Sequence, residues 1–330
     1  MAGRRRKKSG GRSYAWRYRG RIVACVFVEV IIICALVIMI GWNKGVKEWF
    51  EQFEQPVLKE VDISGINSPN AILMQARGGK ILGEINGEAQ IYPASMTKIM
   101  TVILGIENFD DLDEKNTLTD EMFSGLYEQD ATQAGFQPGE EVRVIDLLYG
   151  AMLPSGAECC IALADTISGS EADFAELMNK KARKLGMENT HFCDSTGLHN
   201  PDHYSTVKDI AVLMKYCIKN DTFREIVETS RHSTGVTNIH PDGITYYSTM
   251  FKNLSAPTVT GGKILGGKTG YTSEAGHCLV SFAEIEGREY IFVSAGASGA
   301  DGNTIPHIQD AVTVYNRVGA EIEAKMNNNK

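Results

Sequence analysis

Ser95 and Lys98 stand three residues apart in Tyr92-Pro93-Ala94-Ser95-Met96-Thr97-Lys98. On a helix that spacing puts both side chains on one face. A lysine amine can then reach a serine hydroxyl and take its proton, which is nucleophilic chemistry without a histidine. Such a lysine needs its ammonium destabilised, by burial or by a second cation. Lys268, in Gly266-Gly267-Lys268-Thr269-Gly270-Tyr271, is the candidate second cation. Its small neighbours would let a substrate backbone lie alongside, while Lys268 and Thr269 offer a cation and a hydroxyl to a carboxylate. Ser155, in Pro154-Ser155-Gly156-Ala157, is a third polar group that could pass a proton. Each motif alone is common on solvated surfaces; their joint occurrence points to acyl transfer.

Several elements must bring these residues together. Ala71–Ala76 and Lys80–Ile85 read as strands of a hairpin around Gly78-Gly79. Pro93 precedes a helix from Ser95 to about Ile106. Helical periodicity covers Val142–Leu153, Glu158–Ile167, Glu171–Leu185 and Thr206–Ile218, the last capped by Ser205 or Thr206. Cys278–Ile285 and Tyr290–Ala295 are apolar strands joined by Glu286-Gly287-Arg288, and Pro306–Ala324 closes as a helix. Strands at both ends with helices between predict an α+β domain, its one antiparallel sheet built from the N- and C-terminal parts.

Charge divides the chain. It totals 33 basic and 41 acidic residues, and positions 1–21 hold nine cations and no acid, so the remainder carries 24 against 41, a net of −17. The cations stop where nineteen residues of mainly apolar character begin, Ile22 to Ile40, about the length that crosses a bilayer as a helix. Upstream cations favour a cytoplasmic N-terminus. The apolar run exceeds a signal-peptide core and no small-x-small site follows it. A nucleic-acid arm is the weaker reading of Arg4-Arg5-Arg6-Lys7-Lys8 directly before such a run. The expected organisation is a basic tail (1–21), a transmembrane anchor (22–41), a stalk (42–65), a catalytic domain (66–325) and a short tail (326–330). Seven cysteines at irregular spacing make no disulfide framework. Cys159-Cys160 read as small core residues, with a redox pair as the rival. No Cys/His cluster suggests a metal, and no cofactor is expected.

Serine-x-x-lysine combined with Lys-Thr-Gly occurs in penicillin-binding proteins and class A β-lactamases. The order, spacing and flanks here resemble the penicillin-recognising serine enzymes over about residues 71–312, and most closely the low-molecular-weight D-alanyl-D-alanine carboxypeptidases. Met152-Leu153-Pro154-Ser155-Gly156, Thr196-Gly197-Leu198 and His203-Tyr204-Ser205-Thr206 carry the resemblance further. It implies a β-lactamase/transpeptidase-like fold with a helical subdomain. It implies that Ser95 is acylated, Lys98 is its base, and Ser155 relays a proton to the leaving D-alanine. Lys268 would tune the network, Thr269 would bind the terminal carboxylate beside Gly270, and the N–H groups of Ser95 and Tyr271 would form the oxyanion hole. The implied partners are peptidoglycan stem peptides, β-lactams as acylating inhibitors, and the membrane, with the catalytic domain on the wall side and no nucleic acid. A D,D-endopeptidase is the neighbouring alternative.

Two departures stand out. Ala157 occupies the position where the family places asparagine, so a slow enzyme or a non-catalytic stem-peptide binder is the other alternative. Glu158 follows, but the next helix position points about 100° away. Some relatives hold the substrate carboxylate with an arginine after the last strands, whereas here no lysine or arginine lies between Arg288 and Arg317.

Overall fold

A computed structural model describes residues 58–254, 256–299 and 305–328. The basic tail and apolar run lie outside them. Among the described residues no helix is long and apolar enough to cross a membrane.

The hairpin β1 (Asn70–Gln75) and β2 (Ile81–Ile85) forms around Gly78-Gly79 as the sequence predicts. A 3₁₀ turn over Ala94–Thr97 then leads into α1 (Lys98–Asn108). The Ser95 segment therefore departs from the simple α-helix expected of it. In 3₁₀ geometry residues i and i+3 eclipse, so the spacing still aligns Ser95 with Lys98. Next comes a small hairpin of β3 (Lys115–Thr117) and β4 (Glu141–Arg143), which takes the residues expected to open the next helix. The helices α2 (Val144–Met152), α3 (Ala157–Ser168), α4 (Glu171–Leu185), α5 (Val207–Cys217) and α6 (Asp221–Glu228) follow. Thr206 caps α5 by accepting the Asp209 N–H at 3.0 Å. After a second small hairpin, β5 (Arg231–Ser233) with β6 (Thr245–Tyr247), and the one-turn α7 (Thr249–Asn253), the chain returns to the main sheet. It adds β7 (Thr258–Val259), β8 (Gly262–Thr272), β9 (Gly276–Ile285) and β10 (Arg288–Ala297), and ends in α8 (Pro306–Asn328).

The antiparallel sheet has the order β2-β1-β10-β9-β8-β7, so the first hairpin pairs with the last strand. Side chains of a strand alternate between faces, and here both faces are covered. Ile72, Met74, Val280, Phe282, Ile291 and Val293 enter the core shared with α1–α6. Their neighbours Ala71, Leu73, Leu279, Ala283, Tyr290 and Phe292 enter a second core beneath α8. That double burial makes the central strands read as nearly continuous apolar runs. Tyr315 pins α8 to the sheet: its hydroxyl accepts the Phe292 N–H at 3.1 Å and lies 3.1 Å from Ser281 Oγ.

Two boundaries move. The stalk was expected to reach residue 65, yet Leu58, Val61 and Ile63 are buried in the second core, and the Val61 N–H bonds to the Leu82 carbonyl at 2.8 Å. Their apolar side chains cover the outer face of the sheet near its edge, so the domain begins by residue 58. At the other end α8 runs through Asn328, past the expected tail boundary, with Met326 packed on the same core.

Candidate active site

Ser95 sits in the 3₁₀ turn, and the backbone before it is bent hard: Ala94 has φ +47°, a left-handed conformation that costs a non-glycine residue about 1–3 kcal/mol. The segment 194–197 holds this turn from behind. Asp194 Oδ1 accepts the N–H groups of Thr196 (2.7 Å) and Gly197 (2.6 Å) and the Thr196 hydroxyl (2.7 Å). Gly197 has φ +80°, and a Cβ there would lie 1.9 Å from the Ala94 carbonyl oxygen, so only glycine fits. His203 closes the network, with Nδ1 3.1 Å from Asp194 Oδ2 and Nε2 2.9 Å from Thr97 Oγ1. Burial opposes the Asp194 charge, but His203 and the donated hydrogen bonds outweigh it and hold the carboxyl at about 2.

Lys98 is 3 % exposed. Its Nζ lies 3.1 Å from Ser95 Oγ and donates to the Thr196 carbonyl at 2.6 Å. The turn that seats Ser95 thus also aims Lys98. The sequence reading missed Asp194; its signal is Asp194-Ser195-Thr196-Gly197, an Asx-turn pattern.

Ser155 approaches from the other side, in the turn between α2 and α3. It too is left-handed, at φ +75°. Backbone contacts fix it: the Gly156 N–H reaches the Gly150 carbonyl and the Ala157 N–H the Thr132 carbonyl, each at 2.8 Å. Glu158 is buried and turned away, accepting the N–H groups of Ala134 (2.6 Å) and Gly135 (2.9 Å). Its helix position excludes it from the site, and it instead clamps the adjoining loop. Ala157 lines a small cavity with Ser95, Lys98 and Ser155.

Lys268 is 1 % exposed and donates to Ser155 Oγ at 3.0 Å and to the Thr269 carbonyl at 2.9 Å. Burial, and next the charge of Lys98, push its ammonium well below the usual lysine range. Thr269 leaves the opposite face of β8, its hydroxyl 2.7 Å from that of Thr249.

Pairing with β7 covers only Gly262 and Lys263, so β8 is not paired with β7 along the Lys268–Thr272 stretch. There it runs against the Ser95 turn. A Cβ on Gly270 would sit 3.0 Å from the Ser95 nitrogen and 3.2 Å from the Pro93 carbonyl oxygen. That close approach sets the Gly270-Tyr271 stretch of β8 against the Ser95 turn, and Ser95 and Tyr271 line one small cavity. Ser95, Ser155, Thr269, Gly270 and Tyr271 line one cleft of about 640 Å³. The fold therefore gathers all seven sequence-nominated residues. The other candidates stay apart from the chemistry: Cys159, Cys160, Cys217 and Cys278 are buried free thiols, and Cys193 is a half-buried one.

An unaided serine is a poor nucleophile, and this cleft supplies a contacting amine, a second hydroxyl–amine pair and an amide-lined strand edge. Comparison with known proteins agrees with that chemistry. The chain is 34 % identical over 231 residues to D-alanyl-D-alanine carboxypeptidase DacF of Bacillus subtilis, and 33 % identical over 262 residues to DacC of Escherichia coli. The matches cover 69 % and 72 % of this chain but only 57 % and 58 % of those relatives. The crystal structure of the Streptomyces K15 DD-transpeptidase superposes with a TM-score of 0.70 at 29 % identity, covering 79 % of this chain and all of that one. The sequence signature of the D-alanyl-D-alanine carboxypeptidases, peptidase family S11, spans residues 57–299, and with the paired serine–lysine geometry in place we conclude that the chain belongs to that family.

Proposed function

We propose that this protein is a serine-type D,D-carboxypeptidase that removes the terminal D-alanine from peptidoglycan stem pentapeptides. The observation that carries the reading is the facing of two serine–lysine pairs, Ser95–Lys98 at 3.1 Å and Ser155–Lys268 at 3.0 Å, across one cleft.

Lys98 Nζ takes the Ser95 proton as Oγ adds to the carbonyl carbon of the penultimate D-alanine. The N–H groups of Ser95 and Tyr271 hold the resulting oxyanion. Ser155, backed by Lys268, hands a proton to the departing D-alanine nitrogen, and the C–N bond breaks to leave an ester on Ser95. Water attacks that ester by the reverse proton path, restoring Ser95 and releasing the shortened peptide. A β-lactam follows the first half of the path, but its leaving nitrogen stays tethered, so the ester persists.

Ala157 gives no amide to this site. The Thr196 carbonyl nevertheless anchors Lys98 at 2.6 Å, so positioning of the base does not depend on an asparagine. That favours turnover over mere binding. The nine cations and nineteen-residue apolar run support a single span at residues 22–41, with the N-terminus cytoplasmic and the catalytic domain facing the wall.

Mass spectrometry of stem peptides incubated with the protein tests the reaction. Loss of one alanine per pentapeptide is the expected result. Conversion of cross-linked dimers to monomers without that loss would assign an endopeptidase, and penicillin labelling without any product would assign a binder.

A further inference from the structure

Beyond Thr269 the cleft contains a cluster that acylation does not use. Tyr271 and His277 are direct partners across β8 and β9, so their side chains share the sheet face of Thr269, two residues along. Their rings lie 4.6 Å apart. His307, in the first turn of α8, stacks on His277 at 5.0 Å with the planes 6° apart. All three line the same cleft as Ser95. His307 is 5 % exposed, and its Nδ1 has no hydrogen-bond partner among the described residues.

The surrounding charges show which ligand. Asp310, one turn along α8, spends both oxygens on Asn67 and Ser68. Glu274, from the turn between β8 and β9, accepts from Ser273 and faces His199. Tyr271 is the facing titratable group of β8. Among the described residues lining the cleft there is no arginine, and the lysines 98 and 268 are committed to Ser95 and Ser155. Asp130 and His199 also line the cleft, but His199 faces Glu274, so the stacked His277–His307 pair is the imidazole capacity on the Thr269 side that meets no carboxylate among the described residues.

We propose that His277 and His307 form the subsite for the substrate's C-terminal carboxylate, donating imidazole N–H groups and taking up one proton as the carboxylate binds. The proposal deepens the carboxypeptidase reading and rests on it. In the free protein burial lowers His277, and burial followed by the neighbouring ring lowers His307 to about 4. An adjacent carboxylate favours the imidazolium and reverses that balance. Binding of a free acid is then linked to proton uptake, and its KM rises with pH.

The test compares an acyl-D-Ala-D-Ala free acid with its C-terminal amide, using the full chain. We expect the wild type to prefer the acid. In His277→Gln and His307→Gln, kcat/KM for the acid should fall at least tenfold, mainly through KM, and lose its pH slope, while the amide stays within twofold. Equal losses for acid and amide, or none, would overturn the subsite. A second measurement does not depend on turnover: histidine NMR of Ser95→Ala protein titrated with acetyl-D-alanyl-D-alanine. Movement of the His277 and His307 signals by the acid but not the amide supports the proposal, and unmoved signals reject it. Absence of D-alanine release from the acid and of D-alaninamide release from the amide by the wild type would instead count against the carboxypeptidase reading, with the titration still deciding the subsite.

Discussion

Ser95 and Ser155 stand at two turns that share a plan. Each turn carries a non-glycine residue at positive φ, Ala94 at +47° and Ser155 at +75°, and each serine hydroxyl meets a buried lysine. Their supports differ. The Ser95 turn is braced by a side-chain network in which Asp194, Thr196, His203 and Thr97 are joined by hydrogen bonds. The Ser155 turn is held by backbone bonds from Gly156 and Ala157. A charge network can be weakened by one isosteric substitution, whereas a backbone brace is indifferent to most side chains. The difference explains how position 157 can hold alanine while the geometry around Ser155 stays intact.

Four experiments break or sharpen this contrast. Ser95→Ala should have the largest effect, removing the penicilloyl adduct from the intact-protein mass spectrum and lowering D-alanine release by about 10⁴-fold or more. A persistent adduct would move the nucleophile elsewhere. Lys268→Met should lower turnover by about 10²–10³-fold, the scale of losing one fixed electrostatic group. It should also change the pH dependence of stability. Because the folded-state ammonium titrates below its unfolded value, the unfolded chain binds the extra proton between the two, and stability rises with pH across that window. Urea midpoints measured at rising pH below the ordinary lysine range should climb in the wild type and show a shallower slope in the variant.

Asp194→Asn tests the side-chain network and should slow acylation about tenfold, read from stopped-flow β-lactam labelling. Asp194 titrates at about 2 when folded, below its ordinary value near 3.9. Its contribution, about 2.6 kcal/mol, is present above the unfolded value and is lost as pH falls through the folded one. Acid unfolding of the variant should therefore lack that loss. Ala157→Asn should have the smallest effect, leaving kcat/KM equal or raised by less than about tenfold, the worth of one added hydrogen bond. Abolished turnover would mean that the small cavity beside Lys98 has a use that an amide blocks.

Much of this was legible because it is local. Continuous apolar runs in Cys278–Ile285 and Tyr290–Ala295 declare strands covered on both faces, and Ser95, Lys98 and Lys268 announce themselves by spacing. What stayed hidden depends on contacts far apart in sequence. The carbonyl of Thr196 orients Lys98 across 98 positions, and a carbonyl carries no residue-type signal. His277 and His307 meet only because α8 folds back over β9. Leu58, Val61 and Ile63 look like a tether until the second core claims them.

The pairing of β1 with β10 has a consequence in time. Asn70 lies opposite Ala295, so β1, with the buried Ile72 and Leu73 on its two faces, has no permanent partner on that side until more than two hundred further residues exist. At roughly 5–20 residues per second of synthesis, the nascent hairpin waits on the order of ten to forty-five seconds with an adhesive edge exposed. Any factor that shields the early chain during that interval should raise the yield of active protein more than one that acts after synthesis is complete.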